Sequence, residues 1–417
     1  MPRWPVATAV ALLMLAACVR SQPFTSIATG AAVSWSGIPN PTNADVIALY
    51  VQAPGTTVDT LAPLKFQWAN RSPGYDQGSG SITFQVLNQR YPTFFVYFSN
   101  IQSNGVSNSY TSNKVIAVSK PIAITPNEPT QGHLSFTNIT GQVVVQWTTR
   151  DVGTPVAQVG TASGTYTQTA AAVTNTYPRS EMVGPPANSF GYFDPGSLHY
   201  ATLTGLAPNT QYFYRYGDSA LALFSPEYSF TTPPLPAASA SVKWLAWADA
   251  GQAVADGTNE YDYYDDYDEL NSSPYGTDQQ AYESAFDTWE IEQASDLGFV
   301  TQWDVYFEQY KPIYTLLPVM TLPGNHERDA PATGDRYYPL EKKTDSGGEA
   351  GFPYELRLKM PTPTQRSEWY SFNHGPVHFI QTSTEQPFGA GSPQWQFVVN
   401  DLQTVDRSVT PWVIVLF

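Results

Sequence analysis

"LHYATLTGLAPNTQYFYRYGD", Leu198 to Asp218, is the stretch on which the reading of this chain turns. Leu206, Pro208, Thr210 and Tyr212 have the spacing of a tyrosine corner, in which the Tyr hydroxyl ties back to the backbone across the edge of a β-sandwich. Just upstream, "HLSFTNITGQVVVQWTT", His133 to Thr149, reads as a hairpin around Thr140-Gly141 with Trp147 buried. Together these stretches predict a sandwich over residues 123–232, bounded by the turn-rich segment Pro121 to Pro129 and by the stiff, proline-rich linker "TTPPLPAAS", Thr231 to Ser239.

Residues 24–122 carry the same kind of signal. "ADVIALYVQ", "LKFQWAN", "SITFQVLNQ", "TFFVYFS" and "NKVIAVS" alternate with turn residues at even spacing, which predicts another sandwich with no clustered chemistry. Beyond the linker the pattern changes. "SVKWLAWAD" reads as a buried parallel strand ending at Asp249, residues 278–293 and "QWDVYFEQYKPIY" as helices, the latter stopped at Pro312, and "LLPVMTL" as the next strand, ending at Gly324-Asn325-His326. Polar residues just after strand ends, in a strand-helix-strand run, mark where α/β folds bind ligands.

Composition agrees with a folded, turn-rich protein. Of 417 residues, 42% are hydrophobic and 13% charged, with 35 Pro and 29 Gly. A net charge of -16 and 20 Lys and Arg leave no basic face for nucleic acid. "MPRWPVATAVALLMLAACVRSQPF" has a basic start, an apolar stretch from Val6 to Ala17 and small residues Ala16, Ala17 and Cys18. It predicts a secretory signal over residues 1–22, with "LAAC" alternatively a lipid-attachment box, and no later stretch predicts a membrane span. Cys18 is the single cysteine, so a chain cut after it has none and forms no disulfide-linked dimer; oligomeric state is otherwise open. Sequons at Asn70, Asn138 and Asn271 suit a secreted glycoprotein.

"GNHE", Gly324 to Glu327, then "GGEAGFPYELRLKMP", "WYSFNHGPVHFI", "STE" and "DLQTVDRSVTPWVIV" follow in an order that resembles the purple acid phosphatases. The resemblance runs from about residue 125 to the end, and the first sandwich looks like the extra domain of longer members. It implies two β-sandwiches, the second fibronectin type III-like, then an α/β metallophosphoesterase domain over 240–417. It also implies secreted hydrolysis of phosphate monoesters by a metal-bound hydroxide. Fe(III) beside Fe, Zn or Mn would clamp the phosphate and lower the pKa of bound water.

The resemblance carries over residue by residue. "ADAG", Ala248 to Gly251, stands for Gly-Asp-x-Gly, so Asp249 takes the place of a terminal ligand of the trivalent metal. Asn325 matches the ligand of the divalent metal, and His326 the residue that hydrogen-bonds phosphate or protonates the leaving group. The bridging motif, Gly-Asp-x-x-Tyr, is missing; "SDL" and "GFVTQWD" flank the place where it is expected, at Leu297–Gly298. The motifs Val-x-x-His and Gly-His-x-His are also absent, which gives the expectation of a domain internally deleted and cut short. Two of the family's seven ligand positions remain, so the resemblance implies that the metals are not retained and that the chain as written is inactive, with an exposed apolar edge and poor solubility. A secreted pseudo-phosphatase binding through its sandwiches is the alternative. The acidic run "EYDYYDDYDEL", Glu260 to Leu270, reads as a solvated loop, Asp304 as no bridge, and His374 and His378 as structural.

Overall fold

The computed structural model describes residues 29–55, 57–58, 63–100, 115–184, 187–189, 191–248, 300–328, 346–363 and 368–417. It divides into two compact units; among the described residues the first takes in 29–87 and 91–124, the second 88–90, 125–248 and 300–417.

The first unit pairs β1 (Thr29–Trp35) with β4 (Gly80–Val86) and builds a second sheet in the order β3-β2-β5-β6, from β2 (Val46–Val51), β3 (Lys65–Trp68), β5 (Thr93–Phe98) and β6 (Val115–Val118). All are antiparallel. Each predicted strand run contains one of β2 to β6. Every residue of β2 is buried, as its unbroken apolar run requires. Asp45, just before it, is wholly buried, and its carboxylate accepts from Thr42 Oγ1 (2.7 Å), the Asn100 amide (2.9 Å) and Tyr97 Oη (2.9 Å). Burial, with Asp45 beside it, pushes the Tyr97 phenol well up from its ordinary pKa, so it stays a donor.

In the second unit, β7 (Thr130–Phe136), β8 (Val143–Thr149), β11 (Val173–Asn175) and β12 (Ser197–Leu203) form a sheet in the order β11-β12-β8-β7. Facing it are β9 (Pro155–Gly160), β10 (Gln168–Ala171), β13 (Gln211–Asp218), β14 (Leu223–Phe224) and β15 (Tyr228–Thr231). The hairpin predicted around Gly141 is β7–β8, and the corner is built as read: the Ala207 amide donates to Tyr212 Oη at 2.9 Å. Trp147, 2% exposed, packs on Tyr216 and His199 and anchors a core of Leu134, Val145, Val159, Leu203 and Tyr214. Burying each large apolar side chain stabilises by roughly 1.5–3 kcal/mol.

Helix α1 (Val300–Tyr314) packs along β7, with the His133 ring stacked on Phe307 at 4.6 Å. A single helical turn α2 (Asn325–Arg328) and the short helix α3 (Phe352–Arg357) follow. The hairpin β16 (Tyr370–His374) and β17 (Val377–Gln381) then leads through α4 (Pro393–Thr404) to β18 (Trp412–Leu416), which lies parallel to β17. A parallel strand-helix-strand unit is thus formed at 377–416, a different place from the one expected between "SVKWLAWAD" and "LLPVMTL". No helix among the described residues is long and apolar enough to cross a membrane.

Three expectations need correction. "LLPVMTL" is not a strand. Pro318 has no N–H for a ladder, and the segment keeps one main-chain bond to β7, from the Val319 amide to the Leu134 carbonyl at 2.8 Å. Residues 241–248 of "SVKWLAWAD" pair with no strand among the described residues, and the three-stranded sheet is closed by β16 and β18 on either side of β17 without them. Leu245 is left 79% exposed, while Trp244 lies edge-on to Phe379. Helix α1 does not stop at Pro312 but carries it inside the last turn, where the ring faces solvent.

Candidate functional site

Asn325 and His326 are the first two residues of α2, the turn that follows Pro323-Gly324. The turn is held from inside: Glu327 Oε2 accepts from the Gly324 amide at 2.7 Å, and the Arg328 amide donates to the Gly324 carbonyl at 3.2 Å. It is also fastened to α3. The Gly351 amide donates to the Glu327 carbonyl at 2.8 Å, Arg328 Nη1 donates to the Ala350 carbonyl at 3.0 Å, and Thr321 Oγ1 pairs with Tyr354 Oη at 2.8 Å. Gly351 can start that helix because its backbone is left-handed, with φ 81°. From below, Tyr370 Oη donates to the Thr321 carbonyl at 2.7 Å, and Arg328 Nε lies 2.8 Å from the buried Glu368 carboxylate. Ser383 Oγ donates to the same Glu368 at 3.1 Å, which ties the family-like "STE" stretch to the turn.

Asp249, the other expected ligand, lies outside the described residues, as do the Leu297–Gly298 junction, the acidic run 260–270, Asn271, Cys18 and the leader 1–22. Among the described residues no three His, Cys, Asp or Glu side chains come together as a metal site.

The remaining histidines test whether a dinuclear centre has its imidazoles. His133 holds Nδ1 against the Gln131 carbonyl (2.8 Å) and Nε2 against the Arg357 carbonyl (2.9 Å). His199 lies between Thr174 Oγ1 (2.8 Å) and Thr149 Oγ1 (2.7 Å). Burial pulls the pKa of both down to about 4, so they are neutral and structural. His378 is fixed between Asn373 Oδ1 (2.7 Å) and Asp401 Oδ2 (2.6 Å), tying α4 to the hairpin. Half-buried His374 packs beside Phe136. His378 is the structural residue it was read to be, whereas the buried Nδ1 of His374 has no hydrogen-bond partner among the described residues. Asp304 is equally committed: its carboxylate accepts from Arg90 Nη2 (2.7 Å), Gln131 Nε2 (2.6 Å) and Arg357 Nη1 (3.3 Å), leaving no face for a metal. This donor set does not fit a two-metal site.

Sequence reasoning missed the residues that brace the turn. Tyr354, Arg357 and Glu368 stand in or beside the family-like stretches, but nothing local marks them as partners of Thr321, Asp304 and Arg328.

Comparison with known proteins places this geometry. The purple acid phosphatase N-terminal domain matches residues 129–232, and the Fn3-like domain from purple acid phosphatase matches residues 19–125. "Probable inactive purple acid phosphatase 1" of Arabidopsis thaliana is 33% identical over 364 residues, covering 85% of this chain and 57% of its own length. A nucleotide pyrophosphatase/phosphodiesterase of Hordeum vulgare is 33% identical over 187 residues, 45% of this chain and 49% of its own. The chain thus spans about half the length of these curated relatives. The purple acid phosphatase isolated from yellow lupin (Lupinus luteus) seeds superposes with a TM-score of 0.76 at 30% identity, over 93% of this chain and 69% of that one. The two matched N-terminal domains, a relative 33% identical over 364 residues and a lupin counterpart matched over nearly the whole chain together make this chain a member of the purple acid phosphatase family.

Proposed function

We propose that the Gly324–Arg328 turn belongs to a secreted phosphate monoester hydrolase centre, and that these 417 residues alone do not complete it. In this reading Asp249 and Asn325 are metal ligands, and His326 contacts the phosphate or protonates the leaving oxygen. One observation carries the second half. His133, His199 and His378 each have both ring nitrogens within 2.6–2.9 Å of internal polar atoms, so none of these three offers a free imidazole face to a divalent metal. No Gly-Asp-x-x-Tyr motif stands at its expected place, Leu297–Gly298; the stretch Gly334–Tyr338, "GDRYY", has that spacing but follows the GNHE turn instead of preceding it.

The full chain, purified from a secreting host, is assayed for metal by mass spectrometry and for hydrolysis of p-nitrophenyl phosphate. Bis-p-nitrophenyl phosphate is included because the barley relative is named for diester cleavage. We expect iron well below one per chain and no rate above the chelated control. Stoichiometric iron with turnover would overturn the reading. Sequencing the transcript across Leu297–Gly298 separates the two halves of the proposal: an inserted Gly-Asp-x-x-Tyr segment would supply the missing bridge and confine its loss to this product. A non-catalytic binding role is the second reading, favoured by the Arabidopsis relative being named a probable inactive phosphatase.

A further inference from the structure

We propose that Asp304 is the hub through which the second sandwich sets the position of the Gly324–Arg328 turn, with Arg357 as the positioning residue that carries the constraint there. The inference does not depend on whether the chain hydrolyses anything.

Asp304 sits on α1, 1% exposed, and receives two guanidinium groups and one amide. The Arg90 side chain is wholly buried. Gln131, on β7, spends every side-chain polar group and its amide on this cluster. Its Nε2 donates to Asp304, its Oε1 accepts from Arg357 Nη1 (2.7 Å) and Thr148 Oγ1 (3.1 Å), and its N–H donates to Glu308 Oε1 (2.6 Å). It can do so because its backbone is left-handed, with φ 60°, at a register shift between Thr130 and His133. Such a conformation is strained for a residue with a side chain and persists only where surrounding bonds over-determine it. Glu308 is in turn paired with Lys311 at 3.0 Å.

Arg357 transmits the constraint. Its Nε and Nη2 donate to Tyr177 Oη (3.2 and 3.1 Å), and its carbonyl meets His133 Nε2 (2.9 Å), so the sandwich grips the C-terminal end of α3 at several points. The other end of α3 holds the turn, through Gly351 to Glu327, and Tyr354 holds Thr321 on its approach. Helix α3 is six residues long, so it cannot shift at Arg357 without moving both flanks of the turn. A buried carboxylate shared by two guanidiniums tolerates few alternative registers, because any other arrangement strands a charge away from water.

The test is hydrogen exchange on the full chain bearing Asp304→Asn, which keeps size and loses the charge. Amides in 319–328 and 350–358 should exchange roughly tenfold faster, while β2 and β5 of the first unit stay unchanged. Leu203→Ala, in the sandwich core away from the hub, is the comparison, with urea adjusted so that both variants have equal global stability. Faster exchange confined to α1, or equal loosening of the turn by Leu203→Ala, would overturn the proposal. Should Asp304→Asn fail to fold, Arg357→Lys keeps the charge and removes the fork. It should loosen the same two segments, and an unchanged turn in that variant is equally fatal.

Discussion

Tyr212 shows how one residue can settle a fold. Its ring lies in the sandwich core against Phe230, and its hydroxyl accepts the Ala207 amide across the corner. Replacing Tyr212 by Phe leaves the packing and strands that amide, so we expect a loss of about 1 kcal/mol, read as a lower urea midpoint with unchanged slope. The corner was legible because all its parts lie within seven residues, Leu206 to Tyr212. Arg90 and Asp304 are the opposite case. They are 214 residues apart, and neither sits in a stretch that announces a buried ion pair. Long-range charge pairing has no periodicity to read.

At the scale of elements, the strands that pack on both faces or alternate were legible, and those that depended on a missing ladder partner were not. "VIALYV" and "VVVQWTT" are apolar and β-branched enough to need burial, and both find it. "LLPVMTL" has the same composition, yet Pro318 and the turn at Thr315–Leu317 turn Leu317 to solvent at 63% exposure. Pro312 misled for a different reason. It lies close to the end of α1 and its ring faces outward, so the lost bond and the clash fall on a turn with little left to break. The β7–β8 hairpin offers a sharper test. Gly141 has φ 79°, its carbonyl accepts the Leu206 amide at 3.0 Å, and a Cβ there would meet the Leu206 carbonyl at 2.8 Å. Gly141→Ala should therefore destabilise by more than about 1 kcal/mol, checked by thermal unfolding, whereas an Ala at a tolerant glycine would stabilise slightly.

At the scale of the molecule, the candidate site was half legible: its turn could be named, but the braces that hold it are recruited from the whole second unit. That unit buries titratable groups whose shifts oppose one another. Burial pushes the Glu349 carboxyl up to about 8, against the Trp303 indole N–H that donates to it at 2.8 Å and the nearby Arg357 charge. Because its folded pKa is raised, its stabilising contribution is complete below about pH 4.5 and is lost as pH rises through about 8. His133 and His199 have pKa values pulled down from 6.5 to about 4, so their contribution is complete above pH 6.5 and is lost as pH falls through about 4. Between about pH 4.5 and 6.5 the two imidazoles outweigh the one carboxyl, and stability rises with pH. Above about 6.5, of these three groups Glu349 alone is still titrating, and its contribution falls. Urea midpoints taken from pH 4 to 9 should peak near about 6.5, and Glu349→Gln, which keeps the acceptor for Trp303 without a titrating proton, should flatten the alkaline limb and steepen the rise between about pH 4.5 and 6.5. An unchanged alkaline limb in that variant would show that the fall belongs to another group.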